Sequence, residues 1–282
     1  MIKTPKFWYD NNTSSTIIAL ALYPLSIIWI IISLIKKNFN NPYKSKLKVI
    51  CVGNLNIGGT GKTPFTIYTY KILKKLGYKP IFLTRGYKGL EKGPIKVRPD
   101  HNFNDVGDEA LLLSKVGPTV VSANRSLGAK FIEGLKNNYN VILMDDGLQN
   151  NTLEQDIKLL LVDKKLKFGN EFCFPSGPLR EPTKQGLENI DAIILTGNDK
   201  KFINYNDKFN HKTIFNSSIK IIKSSITKTT NIFAFCALAN PDKFFDTLYQ
   251  NEYNVISKKP FPDHHQYTEK EINNLIFNAK NQ

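Results

Sequence analysis

Cysteine is sparse in this sequence and wrongly spaced for metal or disulfide chemistry. Cys51, Cys173 and Cys236 lie far apart with no Cys-x-x-Cys pair, which excludes a thiolate zinc site and a disulfide scaffold and fits a reducing compartment. Acidic residues are few as well: 24 Asp plus Glu stand against 39 Lys plus Arg, a net charge of +15. That excess asks for an anionic partner, whether a membrane surface, a nucleic acid or a phosphorylated substrate. No run of basic residues interleaved with aromatics builds a nucleic-acid module, so nucleic acid is not expected among the partners. Internal repeats and low-complexity tracts are missing too. With 282 residues, 41% of them hydrophobic, the chain can support one large or two modest domains with a real core.

Charge of either sign is missing altogether from residues 16–35, TIIALALYPLSIIWIIISLI. As a helix at about 1.5 Å per residue this segment is about 30 Å long, enough to cross a hydrocarbon layer. Pro24 would kink it without forbidding it. A cleaved signal peptide is the competing reading, but the run is long for one and no small-x-small cleavage site follows, so a retained anchor is preferred. Lys36, Lys37, Lys44, Lys46 and Lys48 come after it with no acid among them, whereas Lys3 and Lys6 precede it with Asp10. This bias directs the body of the protein to the cytoplasm. A helix lying in the interface, or buried against the protein's own fold, stays open, because Tyr23, Pro24 and Ser26 interrupt the apolar run.

A phosphate-binding loop follows. In Cys51-Val-Gly-Asn-Leu-Asn-Ile-Gly-Gly-Thr-Gly-Lys-Thr-Pro64, Gly58, Gly59 and Gly61 let the backbone turn and aim N–H groups at phosphate oxygens. Lys62 is placed to reach the β- and γ-phosphates and the Thr63 hydroxyl to hold Mg²⁺. The expected nucleotide contacts are Asn56, Ile57, Gly58, Gly59, Thr60, Gly61, Lys62, Thr63 and Pro64. Residues 48–52 read as a strand and residues 62–76 as a helix with Phe65, Tyr68, Ile72, Leu73 and Leu76 on one face, ended by Gly77. Asn56 stands where the general pattern has glycine, and asparagine tolerates a left-handed backbone better than most residues.

Beyond the loop, apolar runs at residues 80–84, 119–122, 141–144, 158–162 and 192–196 alternate with helical stretches at 108–115 and 125–136. This order indicates a largely parallel sheet covered by helices on both faces, with ligands at the carboxyl ends of the strands. After about Lys200 the pattern changes. Segments 213–215 and 218–222 suggest a hairpin, followed by a strand at 232–238, a helix from Pro241 and a strand at 254–257. The division read from this is an anchoring helix over 1–38, a P-loop nucleotide-binding domain over 39–205 and a smaller second α/β lobe over 206–282.

Several constellations sit at strand ends. Val141-Ile-Leu-Met-Asp145-Asp146-Gly147 closes a buried strand with two carboxylates of the kind that hold Mg²⁺ in P-loop enzymes. Adjacent strand residues point to opposite faces, so both serve one site only if the chain turns at Asp146. Which of them meets the metal is not decided by spacing. Asp105, Asp108 and Glu109 open a helix, where an acid is equally well an N-cap. Asp263-His264-His265 combines a carboxylate with histidines suited to proton transfer, or is a surface turn. Arg180 and Glu181 lie on a Gly/Pro-rich loop from which an arginine can clamp phosphate.

The set Val52-Gly-Asn-x3-Gly-Gly-Thr-Gly-Lys-Thr-Pro64, Arg85-Gly-Tyr87, Val106-Gly-Asp-Glu109, Ser122-x-Asn-Arg125, Asp145-Asp-Gly-Leu-Gln149, Phe168-Gly-Asn170, Gly177-Pro-Leu-Arg-Glu181 and Phe261-x-Asp-His264 closely resembles the tetraacyldisaccharide 4'-kinase (lipid A 4'-kinase) family, from the anchor through His265. The resemblance implies an inner-membrane enzyme, body facing the cytoplasm, that moves the γ-phosphate of ATP with Mg²⁺ to the 4'-hydroxyl of a tetraacylated glucosamine disaccharide 1-phosphate. It implies Asp108 as catalytic base, supported by His264, with Lys62 on the phosphates. It further implies Asp145, Asp146 and Glu181 as acids linked with Thr63 to metal and site organisation, and Arg125 and Arg180 as substrate-side arginines. The family continues with a strand carrying Thr-Glu-Lys-Asp where this sequence, after a helix-like 269–280, reaches Gln282, so a shortened second lobe is expected. No obligate protein partner is inferred. The rival reading is a membrane-associated P-loop ATPase or switch acting on a partner, which needs neither Asp108 nor a lipid acceptor.

Overall fold

The computed structural model describes residues 4–281 apart from 11, 39–40, 60, 198–208, 210–211, 219–225 and 239. After a 26-residue helix α1 (Thr13–Asn38), strand β1 (Lys48–Gly53) leads through the glycine-rich loop into α2 (Lys62–Lys75), then β2 (Pro80–Thr84) and the short β3 (Ile95–Lys96). Next come α3 (Phe103–Val106), α4 (Asp108–Ser114), β4 (Thr119–Val121), α5 (Arg125–Glu133) and β5 (Val141–Asp145). The main sheet is completed by β6 (Ile157–Asp163), the short helix α6 (Thr183–Glu188), β7 (Ala192–Thr196) and β8 (Thr213–Ser217).

These strands form one eight-stranded sheet in the order β3-β4-β2-β5-β1-β6-β7-β8. Every neighbouring pair is parallel except β3 with β4. The central strands are apolar on both sides, as a doubly covered parallel sheet requires. Val49, Cys51, Ile142 and Met144 pack with Ala129 and Ile132 of α5 on one face. Val52, Leu143 and Phe82 pack with Tyr70 and Leu73 of α2 and Leu113 of α4 on the other. The chain runs from β1 outward to β2 and β4, returns to β5 and then crosses β1 to reach β6. The ends of β1 and β5 therefore lie at the topological switch point, where open α/β sheets bind ligands.

Of the hairpin expected near residues 213–222, Thr213–Ser217 is β8, which pairs in parallel with β7 from Ala192↔Thr213 to Thr196↔Ser217, and 219–222 lie outside the described residues. The apolar face of α2 differs from the one expected. Thr66, Tyr70 and Leu73 are buried while Tyr68, Ile72 and Leu76 are exposed, because Thr66 is drawn inward by a carboxylate described below. Gly77 does end α2, at φ +85°, with its N–H donating to the Lys74 carbonyl.

α1 is the one described helix long and apolar enough to cross a membrane. Its buried residues are small: Ser15, Ala19 and Ser26. They fall near one helical stripe, and that stripe lies against the segment just before Arg180. Ser26 Oγ donates to the Cys173 carbonyl at 2.8 Å and accepts from the Ser176 amide at 3.1 Å, and the Ser176 hydroxyl donates to the Ala19 carbonyl. Ile17, Leu20, Ile28, Ile31 and Ile35 are exposed.

The chain divides into two compact units, one of residues Lys6–Ser217 and one dominated by Ser218–Gln282. The smaller unit is a β-α-β turn of chain, β9 (Ile232–Cys236), α7 (Pro241–Gln250) and β10 (Val255–Pro260), followed by α8 (Glu269–Lys280). β9 and β10 pair in parallel over a core of Ala234, Cys236 and Phe245. Thr268 and Glu271 close a reciprocal capping box at the start of α8.

Candidate active site

The register Val52↔Asp145 sets the start of the glycine-rich loop beside the end of β5. Gly61, at φ +85° and ψ +25°, is the N-cap of α2 and brings no side-chain cap. Among the described residues no side chain caps the first turn of α2, an arrangement suited to an anion. A Cβ at Gly61 would meet nothing within 4 Å, so the glycine is there for its left-handed backbone and not for space.

Asn56 is not left-handed, contrary to the reason given for its tolerance. It is buried, pairs with Leu179 in an antiparallel bridge, and donates from Nδ2 to the Lys167 carbonyl at 3.0 Å. A side-chain amide at this position ties the loop to the chain after β6, which glycine cannot do. Two further bonds fasten the loop to the Gly177–Glu181 stretch: Ile57 N–H to the Pro178 carbonyl at 2.7 Å and Arg180 N–H to the Leu55 carbonyl at 2.8 Å. Thr60 lies outside the described residues.

Asp145 is 1% exposed. Its Oδ1 accepts from the Thr66 hydroxyl at 2.8 Å and its Oδ2 from the Thr63 hydroxyl at 3.1 Å. Burial pushes this carboxyl above the ordinary range, although both hydroxyls oppose the shift. Asp146 takes φ +49°, the turn expected after β5, and its N–H donates to the Val52 carbonyl at 2.9 Å. Its carboxylate receives both terminal nitrogens of Arg180, at 2.7 and 3.0 Å, and lies 3.6 Å from Lys62 Nζ. Burial alone would raise Asp146, but Lys62 and the Arg180 guanidinium hold it below the usual carboxylate value. Lys62, 9% exposed, also donates to the Gly58 carbonyl at 3.2 Å, closing the loop over its own side chain.

Thr66 and Gln149 belong to this cluster and carried no assigned role in the sequence reading. Thr66 stands three residues beyond Thr63, the helical spacing that puts both hydroxyls on one side. Gln149 accepts from Arg180 at 3.1 Å and donates to the Asn54 carbonyl at 3.1 Å and to Glu181 Oε1 at 2.9 Å. Glu181 therefore reaches the acid pair through Gln149 and then Arg180. Among the described residues no cluster of three or more His, Cys, Asp or Glu is poised for a metal. The donor set of Thr63 hydroxyl and Asp145 carboxylate nonetheless suits Mg²⁺, which takes one or two protein oxygens and completes its shell with phosphate and water.

Arg125 opens α5 and is 3% exposed; Nη1 donates to the Ser122 carbonyl at 2.7 Å while Nε has no hydrogen-bond partner among the described residues. Burial, then the nearby Arg85 guanidinium, lowers it to about 10. Asp108 is the exposed first residue of α4, its Oδ1 accepting from the Glu109 amide at 2.9 Å. Gly107 before it has φ +86°, and a Cβ there would stand 2.4 Å from the Tyr87 carbonyl. That close approach is what seats the Arg85-Gly-Tyr87 turn against the start of α4.

His264 and His265 lie on the smaller unit. His265 stacks on Phe261 at 4.9 Å and meets Glu271 Oε1 at 3.0 Å, so its ring is fixed inside that unit. His264 has φ +55°, with its Nε2 3.7 Å from Asp263 Oδ2.

The sequence matches the family model described as tetraacyldisaccharide-1-P 4'-kinase over residues 18–282. The tetraacyldisaccharide 4'-kinase of Rickettsia canadensis is 36% identical over 277 residues, covering 98% of this chain and 82% of that protein. That of Parvibaculum lavamentivorans is 37% identical over 283 residues, covering 99% and 82%. A crystal structure of "apo" form LpxK from Aquifex aeolicus in complex with ATP matches with a TM-score of 0.73 at 29% identity, covering 89% of this chain and 84% of that one. With its switch-point loop, its acid pair and matches along nearly its whole length, the chain belongs to the tetraacyldisaccharide 4'-kinase family.

Proposed function

We propose that Lys62, Thr63, Asp145 and Asp146 form the floor on which this kinase transfers the γ-phosphate of ATP to the 4'-hydroxyl of a tetraacylated glucosamine disaccharide 1-phosphate. The observation that carries this reading is the uncapped start of α2 beside the acid pair, with Lys62 held between the Gly58 carbonyl and Asp146. The glycine-loop amides and Lys62 bind the phosphates, and Thr63 and Asp145 would hold Mg²⁺, whose chemistry here is to neutralise charge on the β- and γ-oxygens. Phosphoryl transfer asks the protein for positioning and charge stabilisation rather than covalent help. Asp108 would take the proton of the attacking hydroxyl, with His264 as its support; both roles rest on the family match. Arg125, whose buried Nε has no partner among the described residues, and Arg180 are proposed to meet anionic oxygens.

The apolar α1 and the lysines after it support an enzyme held at the cytoplasmic face of the inner membrane, where the substrate's acyl chains reside. An ATPase or switch without a lipid acceptor is not favoured by the family. Labelled ATP supplied with and without the disaccharide lipid is the test. Label appearing in the lipid sustains the reading, and ATP turnover indifferent to the lipid overturns it.

A further inference from the structure

Arg180 is held from three directions. Its amide is bound by the phosphate loop at Leu55, and its guanidinium lies bidentate on Asp146. Its carbonyl accepts a 2.9 Å hydrogen bond from the indole Nε1 of Trp29, on α1. The same indole packs edge-on against Phe174, with ring centroids 5.2 Å apart, and one turn earlier Ser26 pins the Cys173 carbonyl and Ser176 amide. The membrane-type helix thus fixes both the start of the 173–180 stretch and its last residue, the one that reaches the acid pair.

We infer that Trp29 is a positioning residue, coupling the lipid environment of α1 to the placement of the Arg180 guanidinium beside Asp146. Trp29 is 38% exposed. In water its N–H bond to Arg180 competes with solvent, whereas in an apolar layer the indole finds no other acceptor and the bond strengthens. Embedding α1 therefore orders the arginine. The inference rests on the assignment of Arg180 to the active site.

The test uses the full-length chain in anionic vesicles with the disaccharide lipid and ATP, comparing wild type with Trp29→Phe, Trp8→Phe, Arg180→Lys and the Trp29→Phe/Arg180→Lys pair. Phenylalanine keeps an aromatic side chain and removes the donor, and the loss of ring volume is common to both tryptophan variants. Trp8→Phe is the control, because Trp8 Nε1 donates to the neighbouring Pro175 carbonyl at 3.1 Å without touching Arg180. Trp29→Phe is expected to float with vesicles like wild type while its kcat falls about three- to tenfold, the kinetic equivalent of one hydrogen bond, with little change in lipid KM. Trp8→Phe keeps its kcat, and the loss from Trp29→Phe vanishes once lysine has replaced the Arg180 fork. A wild-type kcat for Trp29→Phe alongside a slow Arg180→Lys overturns the coupling and leaves the Arg180 assignment standing. Full activity of Arg180→Lys overturns both. Losses that multiply in the double variant, or are equal in the two tryptophan variants, also overturn the coupling.

Discussion

Asp145 and Asp146 are adjacent, yet burial raises one carboxyl while Lys62 and Arg180 lower the other. A depressed carboxylate contributes stability that is present above its unfolded value, 3.8, and is lost as pH falls through its folded one. Asparagine accepts the left-handed backbone at this position, so Asp146→Asn isolates the charge. Wild type should therefore outlast Asp146→Asn in thermal denaturation at neutral pH, with the gap narrowing below about pH 4. Lys62→Ala should cut kcat about 10²- to 10³-fold, as loss of a charge-stabilising group does, without unfolding the protein. Asp108→Asn should slow transfer about 10²- to 10⁴-fold while nucleotide titration stays unchanged. Near-normal turnover would remove Asp108 from the role of base. The acid pair, the lysine and the need for a turn at Asp146 were legible in the sequence because they follow from local spacing. Gln149's three-way bond was not, since its partners Asn54, Arg180 and Glu181 come from distant segments.

At the scale of the element, α1 turns Ser15, Ala19 and Ser26, with Ile30 and the Trp29 indole, toward the protein and most of its large aliphatics outward. Ser26, fully buried, satisfies both a carbonyl and an amide of the 173–176 stretch. Ser26→Ala should lower unfolding free energy by about 1–3 kcal/mol in denaturant titration, because it leaves a buried amide unpaired. Were α1 only a tether, that substitution would be silent. The apolar length of α1 was plain in its residues, but its docking stripe was not, because serine and alanine in a hydrophobic run signal nothing until a partner surface is known. The same holds for α2. Periodicity favoured Tyr68, Ile72 and Leu76 for burial, and the site overrode it by drawing in Thr66 to bond Asp145. The place of β8 in the main sheet was not legible for a related reason: its partner β7 is parallel and reached by a long connection.

Over the whole molecule, the charge of +15 and the exposed aliphatics of α1 both suit an anionic membrane surface. Flotation should show binding to anionic vesicles exceeding that to neutral ones, with the difference shrinking in high salt while an apolar residue of binding persists. Binding equal on both vesicle types would assign the lysines elsewhere. The main sheet was readable from its alternating runs because each strand is apolar on both sides. The partition into Lys6–Ser217 and a smaller unit depends on which sheet β8 joins. The chain contains only two tryptophans, and both hydrogen-bond to carbonyls of one short stretch, Pro175 and Arg180. Its tryptophan emission, excited apart from that of tyrosine, is therefore a label-free reporter of that stretch and of the α1 face beside it. A substrate that shifts the Arg180 loop will change the spectrum, while melting of the smaller unit, which holds no indole, will pass unseen.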